Sequence, residues 1–389
     1  MDPIYLDHAA TTPVRPDVFE AMLPYLQDCY GNPSSSHKIG RLARAGLEQA
    51  KRETAEALGV EPNQVIFTSG GTEADNLAII GAALAAGAAG RPMHVVTSAI
   101  EHKAALAAAH AVVRLGGRET ILGVDRHGCV RLDDLDTALA DRPALVSVMW
   151  VNNETGIVQP MTTIGERCAA AGVPLHSDGV QAFGKLPVSL DAIQCRLLSI
   201  SGHKLGAPKG IGALIVRDRS IIEAILHGGG QQFGIRPGTE NVAGAVALGR
   251  AALLAVGELE AHANHTRRLR EELAERLRAG IPDLVINGLD AERAPHVLSV
   301  SVPGAEAEAI LMHLDLAGIC CSGGSACSTG AVEPSHVLLA MGIPRPLALG
   351  TLRFSFSHQT TAADVERVAD AFPPIVERAR RLASALGRG

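Results

Sequence analysis

Five short apolar runs, at residues 64–68, 94–98, 119–124, 144–151 and 174–177, are separated by four stretches of helical character, at 72–86, 103–115, 132–140 and 163–171. This alternation constrains the fold more than any other feature of the chain. Strands separated by helices of that length pair in parallel through right-handed crossovers. The runs are nearly continuous in apolar residues, as expected of a sheet covered on both faces. Two further runs, 197–200 and 210–216, extend the pattern. The predicted architecture is α/β: a large domain with a mainly parallel sheet flanked by helices, plus a smaller α+β domain.

Beyond residue 240 the rhythm changes. Residues 241–279 read as one long helix with a charged second half, followed by strands near 284–286, 296–302 and 352–355 and helices near 306–317, 335–341 and 362–386. The expected division is 14–260 for the large domain, and 1–13 with 261–389 for the small one, which carries a mobile cysteine loop at about 320–334. A net charge of −6 and the absence of a basic run argue against a dedicated nucleic-acid binder. No stretch of 18 apolar residues occurs, and the first residues have neither the basic nor the apolar segment of an export signal. The expected location is therefore cytoplasmic, with no membrane association.

Ligands of open α/β sheets bind at the carboxyl ends of the strands, so the residues following each run are the candidates. Thr68-Ser-Gly-Gly-Thr-Glu-Ala-Asp-Asn76 combines two glycines with a helix start that can hold a phosphate, or simply forms a capped turn. It is neither a Walker nor a dinucleotide motif. Glu101-His102 follows the next run, and a histidine there can stack on a ring or move protons. Asn152-Asn-Glu-Thr-Gly156 is a polar cluster at a strand end with no evident folding need. Asp178 of Asp178-Gly-Val-Gln181 can pair with a protonated ring nitrogen. Lys204 of Ser201-Gly-His-Lys204 lies in a turn between two buried runs, where a desolvated amine can form an imine with an aldehyde. Each item alone has an ordinary structural explanation. Together, in this order, they are the complement that pyridoxal phosphate requires.

A second chemistry lies in Cys320-Cys-Ser-Gly-Gly-Ser-Ala-Cys327, whose spacing fits no zinc pattern. Cys327, in a Gly/Ser loop, suits a nucleophile that must travel. Cys320 and Cys321 read as packing residues, and the remaining four cysteines are scattered singly. In Thr351-Leu-Arg-Phe-Ser-Phe356 a lone Arg353 among apolar neighbours requires an anion, either a substrate carboxylate or an internal salt bridge.

These stretches, with Leu6-Asp-His-Ala-Ala-Thr-Thr12, Gly31-Asn-Pro-Ser-Ser-Ser-His37, Gly228-Gly-Gly-Gln231, Arg236-Pro-Gly-Thr239, Ser325-Ala-Cys327 and Glu333-Pro-Ser-His336, run almost end to end. By them the chain resembles the cysteine desulfurases, in particular the NifS/IscS-like group with a long cysteine loop, in the class V aminotransferase superfamily of PLP fold-type I. The resemblance implies a homodimer that uses pyridoxal 5'-phosphate to convert L-cysteine to L-alanine and keeps the sulfur as a persulfide. It implies that Lys204 would carry the cofactor and move the Cα proton, and that Asp178 would pair with the ring nitrogen and Gln181 with the ring hydroxyl. His102 would stack on the ring and help deprotonate the substrate thiol. Gly71, Thr72, Ser201 and His203 would hold the phosphate, with Thr239 reaching that of the other subunit. Asn153 and Arg353 would bind the substrate carboxylate with Asn32 nearby, and Cys327 would attack the sulfur. No metal is required, Cys327 being the one candidate for a transient iron–sulfur ligand. The persulfide would pass to an iron–sulfur scaffold or another sulfur-acceptor protein.

Two departures stand out. Trp150 takes a position often held by His, with an expected packing role, and the chain ends at Gly389 without the longer tail of housekeeping members, which leans toward a nitrogenase-type or dedicated pathway. The competing readings are another lyase or aminotransferase of this fold, such as a selenocysteine lyase, and a cofactor-free thiol carrier of sulfur or metal.

Overall fold

The computed structural model describes residues 3–323 and 333–385. In chain order its strands are β1 (Ile4–Tyr5), β2 (Val65–Thr68), β3 (His94–Ser98), β4 (Arg118–Leu122), β5 (Leu145–Ser147), β6 (Leu175–Asp178), β7 (Leu197–Ser201), β8 (Gly212–Val216), β9 (Val285–Ile286), β10 (Val297–Ser301), β11 (Ile319–Cys320), β12 (Ser322–Gly323) and β13 (Thr351–Ser355). Seven of them form the large sheet, in the order β2-β8-β7-β6-β5-β3-β4. All its pairings are parallel except the two made by β8, which runs antiparallel to both β2 and β7. The carboxyl ends of β2, β3, β5, β6 and β7 therefore open on one edge of the sheet, and β8 starts there. Burial of these strands on both faces explains their apolar runs: every residue of β2, β3, β5, β6, β7 and β8 is buried.

A second core gathers Leu269, Leu273 and Leu277 with Leu298, Val300, Leu352, Phe354 and Phe372. It rests on the antiparallel sheet β12-β13-β10-β9. Ile4 and Leu6 belong to it as well, because β1 pairs in parallel with β11. The next residues then run as a strap toward the edge of the large sheet: Thr12 bonds through both its N–H and its hydroxyl to the carbonyl of His203. Val337, Leu338 and Met341, late in the chain, pack into the core of the large sheet.

The structure corrects three expectations. Residues 241–279 form two helices, Val242–Gly257 and Leu259–Gly280, bent by 71°. The break falls at Glu258, whose carboxylate receives both guanidinium arms of Arg15 at 2.7 and 2.8 Å. The helices on either side bury their apolar faces in different cores, Leu248 and Ala251 in one and Leu269 and Leu273 in the other. Residues 17–30, whose spacing predicts one helix, are likewise divided, into Pro16–Met22 and Pro24–Gln27, because Pro24 cannot continue the preceding helix. Asn152 has a folding role after all: its Oδ1 accepts the N–H groups of Glu154 and Thr155, and its Nδ2 donates to the carbonyl of Ile100. No single described helix is long and apolar enough to cross a membrane.

Candidate active site

A cavity of about 570 Å³ opens at the carboxyl edge of the large sheet. Ten of the expected site residues line it: Gly71, Thr72, His102, Asn153, Asp178, Gln181, Ser201, His203, Lys204 and Arg353.

One end is built for an anion. The helix Gly71–Ala88 begins here, and the N–H groups of its first turn have no carbonyl four residues back to bond. Gly70 adopts φ +156°, open to glycine alone, and a Cβ on Gly71 would lie 2.9 Å from the Val180 side chain. The backbone can therefore come close to a ligand only because both side chains are missing. Thr72 and Ser201 add hydroxyls. His203 lies beside them with Nδ1 3.1 Å from the Thr11 hydroxyl, its proton affinity pushed down to about 4 by burial and then by Lys204 and Lys209.

The floor is acidic. Asp178, the last residue of β6, is buried, and among the described residues it has no salt bridge. Its Oδ1 accepts the Val180 N–H at 2.9 Å. Burial pushes its proton affinity up, opposed by that bond and by the charges of His102 and Lys204. Gln181 beside it is largely committed: Nε2 donates to the Ala9 carbonyl at 2.9 Å and Oε1 lies 3.2 Å from His296 Nε2. One amide N–H is left over.

Lys204 ends the short turn after β7. Its ammonium donates to the carbonyls of Ala9 and Ala10, at 2.6 and 2.5 Å. Burial first, and the Arg353 charge second, lower its proton affinity to about 8, against the pull of Asp7 and Asp178. His102 caps the helix Lys103–Arg114, with Nδ1 accepting the Ala104 N–H at 3.1 Å. Burial lowers its proton affinity. A neutral ring whose Nδ1 accepts must carry its hydrogen on Nε2. In this arrangement His102 presents an Nε2–H donor to the cavity.

Arg353 comes from β13. It donates to the Asn153 carbonyl at 2.7 Å and to Asp7 at 2.8 Å, so the internal salt bridge exists. Its Nε is nonetheless buried without a partner. A fork with an unspent donor, held at the cavity by a second carboxylate, fits a carboxylate ligand.

Two expected residues are not brought to this cavity, and a third falls outside the described chain. Asn32 is exposed and closes a turn onto the Ser34 N–H. Thr239 is exposed, in the segment that Arg236 fastens to Glu73 with an Nε bond of 2.7 Å. Cys327 lies outside the described residues. The chain on both sides of it is placed, however. Ser322 and Gly323 pair with Arg353 and Leu352, and both line the cavity, as does His336. Ser335 bonds to Glu154, and His336 donates to the Glu101 carbonyl at 3.0 Å. Cys320 and Cys321 are half-buried with their thiols held protonated by burial, and Cys321 packs against the second core.

Sequence reasoning missed Asp75, Glu154, His336 and the Ala9 and Ala10 carbonyls as cavity walls. The three side chains stand inside motifs already singled out, so the signal was there without a role attached.

The donor set fits pyridoxal phosphate: helix-start N–H groups and hydroxyls at one end, a buried carboxyl without a cation at the floor, and a lysine of lowered proton affinity between them. Comparison with known proteins agrees. A family profile for class-V aminotransferases matches residues 4–368. A cysteine desulfurase of Nostoc sp. is 45% identical over 98% of this chain and 95% of its own. The cysteine desulfurase IscS of Dictyoglomus turgidum is 42% identical over 97% of this chain and 96% of its own. The solved structure of a NifS-like protein superposes with a TM-score of 0.87 at 33% identity, covering 98% of this chain and 99% of that one. The chain therefore belongs to the class-V aminotransferases of PLP fold-type I, and within them to the pyridoxal-phosphate-dependent cysteine desulfurases.

Proposed function

We propose that this chain converts L-cysteine to L-alanine with Lys204, Asp178 and His102 around the cofactor, Arg353 and Asn153 at the substrate carboxylate, and Cys327 as the residue that takes the sulfur. The observation that carries this reading is that the described residues flanking 324–332, Ser322-Gly323 before it and His336 after it, line the cavity. Three residues separate Gly323, which lines the cavity, from Cys327.

When bound, pyridoxal phosphate supplies the electron sink that makes the substrate Cα proton acidic. Gly71, Thr72, Ser201 and His203 would hold its phosphate, Asp178 its ring nitrogen and the spare N–H of Gln181 its ring hydroxyl. Arg353 orients the substrate by its carboxylate, and the Asn153 carbonyl and Asp7 hold the guanidinium in place. Lys204, as the neutral amine, takes the Cα proton, and the Ala9 and Ala10 carbonyls receive the ammonium that results. His102 donates from Nε2. Cys327, as thiolate, forms an S–S bond to the substrate sulfur while the Cβ–S bond breaks, and its electron pair stays with the carbon skeleton that becomes alanine.

A second copy of the chain would bring Thr239 and Asn32 to its partner's cavity. The exposed Phe19, Leu26 and Tyr30 support such an assembly. The persulfide would then pass to an iron–sulfur scaffold or another sulfur-acceptor protein in the cytoplasm. Replacing Cys327 by Ser tests the assignment. The variant keeps the cofactor's visible absorbance and binds L-cysteine, but forms alanine and sulfide at least about 100-fold more slowly. Undiminished sulfide release would move the nucleophile to Cys320 or Cys321.

A further inference from the structure

A second, smaller chamber adjoins Lys204 and has the opposite lining. Its walls come from the strap (His8, Thr12), the start of the first helix (Arg15), the turn at Gly184-Lys185, the two helices that meet at Glu258, and the segment Ser357-His358-Gln359. It thus lies where the two cores meet. Its free volume is about 30 Å³, room for one or two waters or a single monatomic ion.

The lining is rich in donors. The Lys185 ammonium has no hydrogen bond or salt bridge among the described residues; burial first and its charge second depress the proton affinity of His8, His262 and His296, and it adds to burial and Arg15 at His358. Among the described residues Glu258 is the only acid in the wall, and its carboxylate is occupied by Arg15. His8 is only 6% exposed, and its Nδ1 has no partner. Its Nε2 lies 3.0 Å from the Ser357 hydroxyl, which accepts the Gln359 N–H and so has its own hydrogen to give. The hydrogen of a neutral His8 then sits on Nδ1. His262 leaves a buried Nε2 without a partner and meets His358 edge to face, 5.9 Å between centroids. No metal-binding cluster is present among the described residues. A water would have to place its own hydrogens among these donors, whereas an anion accepts from all of them and balances a desolvated ammonium.

We propose that this chamber binds a small monovalent inorganic anion of chloride size, held by the Lys185 ammonium and the His8 Nδ1–H. It neutralises the cations that crowd the junction between the two cores. Bromide is the probe. Crystals of the holoenzyme grown with bromide should show an anomalous peak within hydrogen-bonding distance of Lys185 Nζ and His8 Nδ1. In solution, exchanging gluconate for bromide at constant ionic strength should raise the holoenzyme's Tm by about 2 °C or more. Lys185→Met should lose that dependence whatever its own Tm. If that variant does not fold, His8→Phe makes the same comparison. A chamber without an anomalous peak, together with a bromide-independent Tm in the wild type, overturns the proposal, as does a variant that keeps the full bromide response.

Discussion

The floor of the cavity on one side of the Lys204 turn and the walls of the chamber on the other are made from opposite inventories. The main cavity is floored by three buried carboxyls, Asp75, Glu101 and Asp178, with only one salt-bridge-range contact among them, from neutral His176 to Asp75. The chamber collects Lys185, Arg15 and four histidines around or near a single, already occupied carboxylate. Lys204 lines both. A buried carboxylate needs a cationic partner. The main cavity therefore suits a ligand with a protonatable ring, and its phosphate is received at the far end by backbone N–H groups. Polarity, more than shape, distinguishes the two spaces.

The largest test is at the residue they share. Lys204→Ala should lose covalent retention of the cofactor and slow alanine formation from L-cysteine by about 10⁴-fold or more. Gel filtration followed by an absorbance spectrum checks the first, and an alanine assay checks the second. A variant that kept bound cofactor through gel filtration would remove Lys204 from its place between the two regions. Next comes the floor. Asp178→Asn keeps the shape and the Val180 N–H contact but removes the ability to hold a negative charge. Turnover should fall by about 10²- to 10³-fold with the cofactor still present. A loss below tenfold would mean that the acidic floor is not what the ring nitrogen meets.

How much of this contrast was legible beforehand follows from where each part comes from in the chain. Asp178 ends a buried strand and His102 and Lys204 each follow one, and the rule that ligands gather at strand ends places them together without any knowledge of tertiary contacts. The chamber has no such rule. Residues 15, 185, 258, 262 and 358 belong to no motif, His8 stands in the 6–12 stretch with no role attached, and they meet where the helix pair breaks at Glu258, a break hidden by a helical pattern that continues through it. Asn152 was misread for a related reason: a turn made by one side chain bonding two backbone N–H groups looks, in sequence, like an idle polar cluster. Arg353 was legible as a residue needing an anion, but Asp7, more than three hundred residues away, was not legible as the one that holds it.

A smaller effect separates the two regions by pH. Only the neutral amine of Lys204 can bond an aldehyde. With its proton affinity lowered to about 8, the ammonium predominates below that pH and the amine above it. The rate at which cofactor-free protein takes up pyridoxal phosphate should therefore level off above pH 8 and fall about tenfold per unit below it. Stopped-flow absorbance at fixed cofactor concentration follows the profile. A rate still climbing at pH 10 would mean that the surroundings of Lys204 leave it an ordinary lysine.

The smallest effect concerns Asp75, and it decides what the acidic floor really holds. Asp75 is 1% exposed and lines the cavity with an unpartnered Oδ1. The nearest imidazole nitrogen, His176 Nε2, is 3.8 Å away. His176 brings no charge, since burial pushes its proton affinity down to about 3 and its two nitrogens meet the hydroxyls of Ser147 and Ser199. Burial, and then the charge of Asp178, hold the Asp75 carboxyl well above the usual carboxylate range. Burial thus favours the proton on Asp75, and the expectation is that Asp178 carries the charge of the pair. Asparagine is the neutral isostere of that acid. Asp75→Asn should leave turnover within about twofold of wild type and the pH midpoint of the cofactor's absorbance where it was. If the midpoint moves instead, Asp75 is ionised and the floor bears a second negative charge.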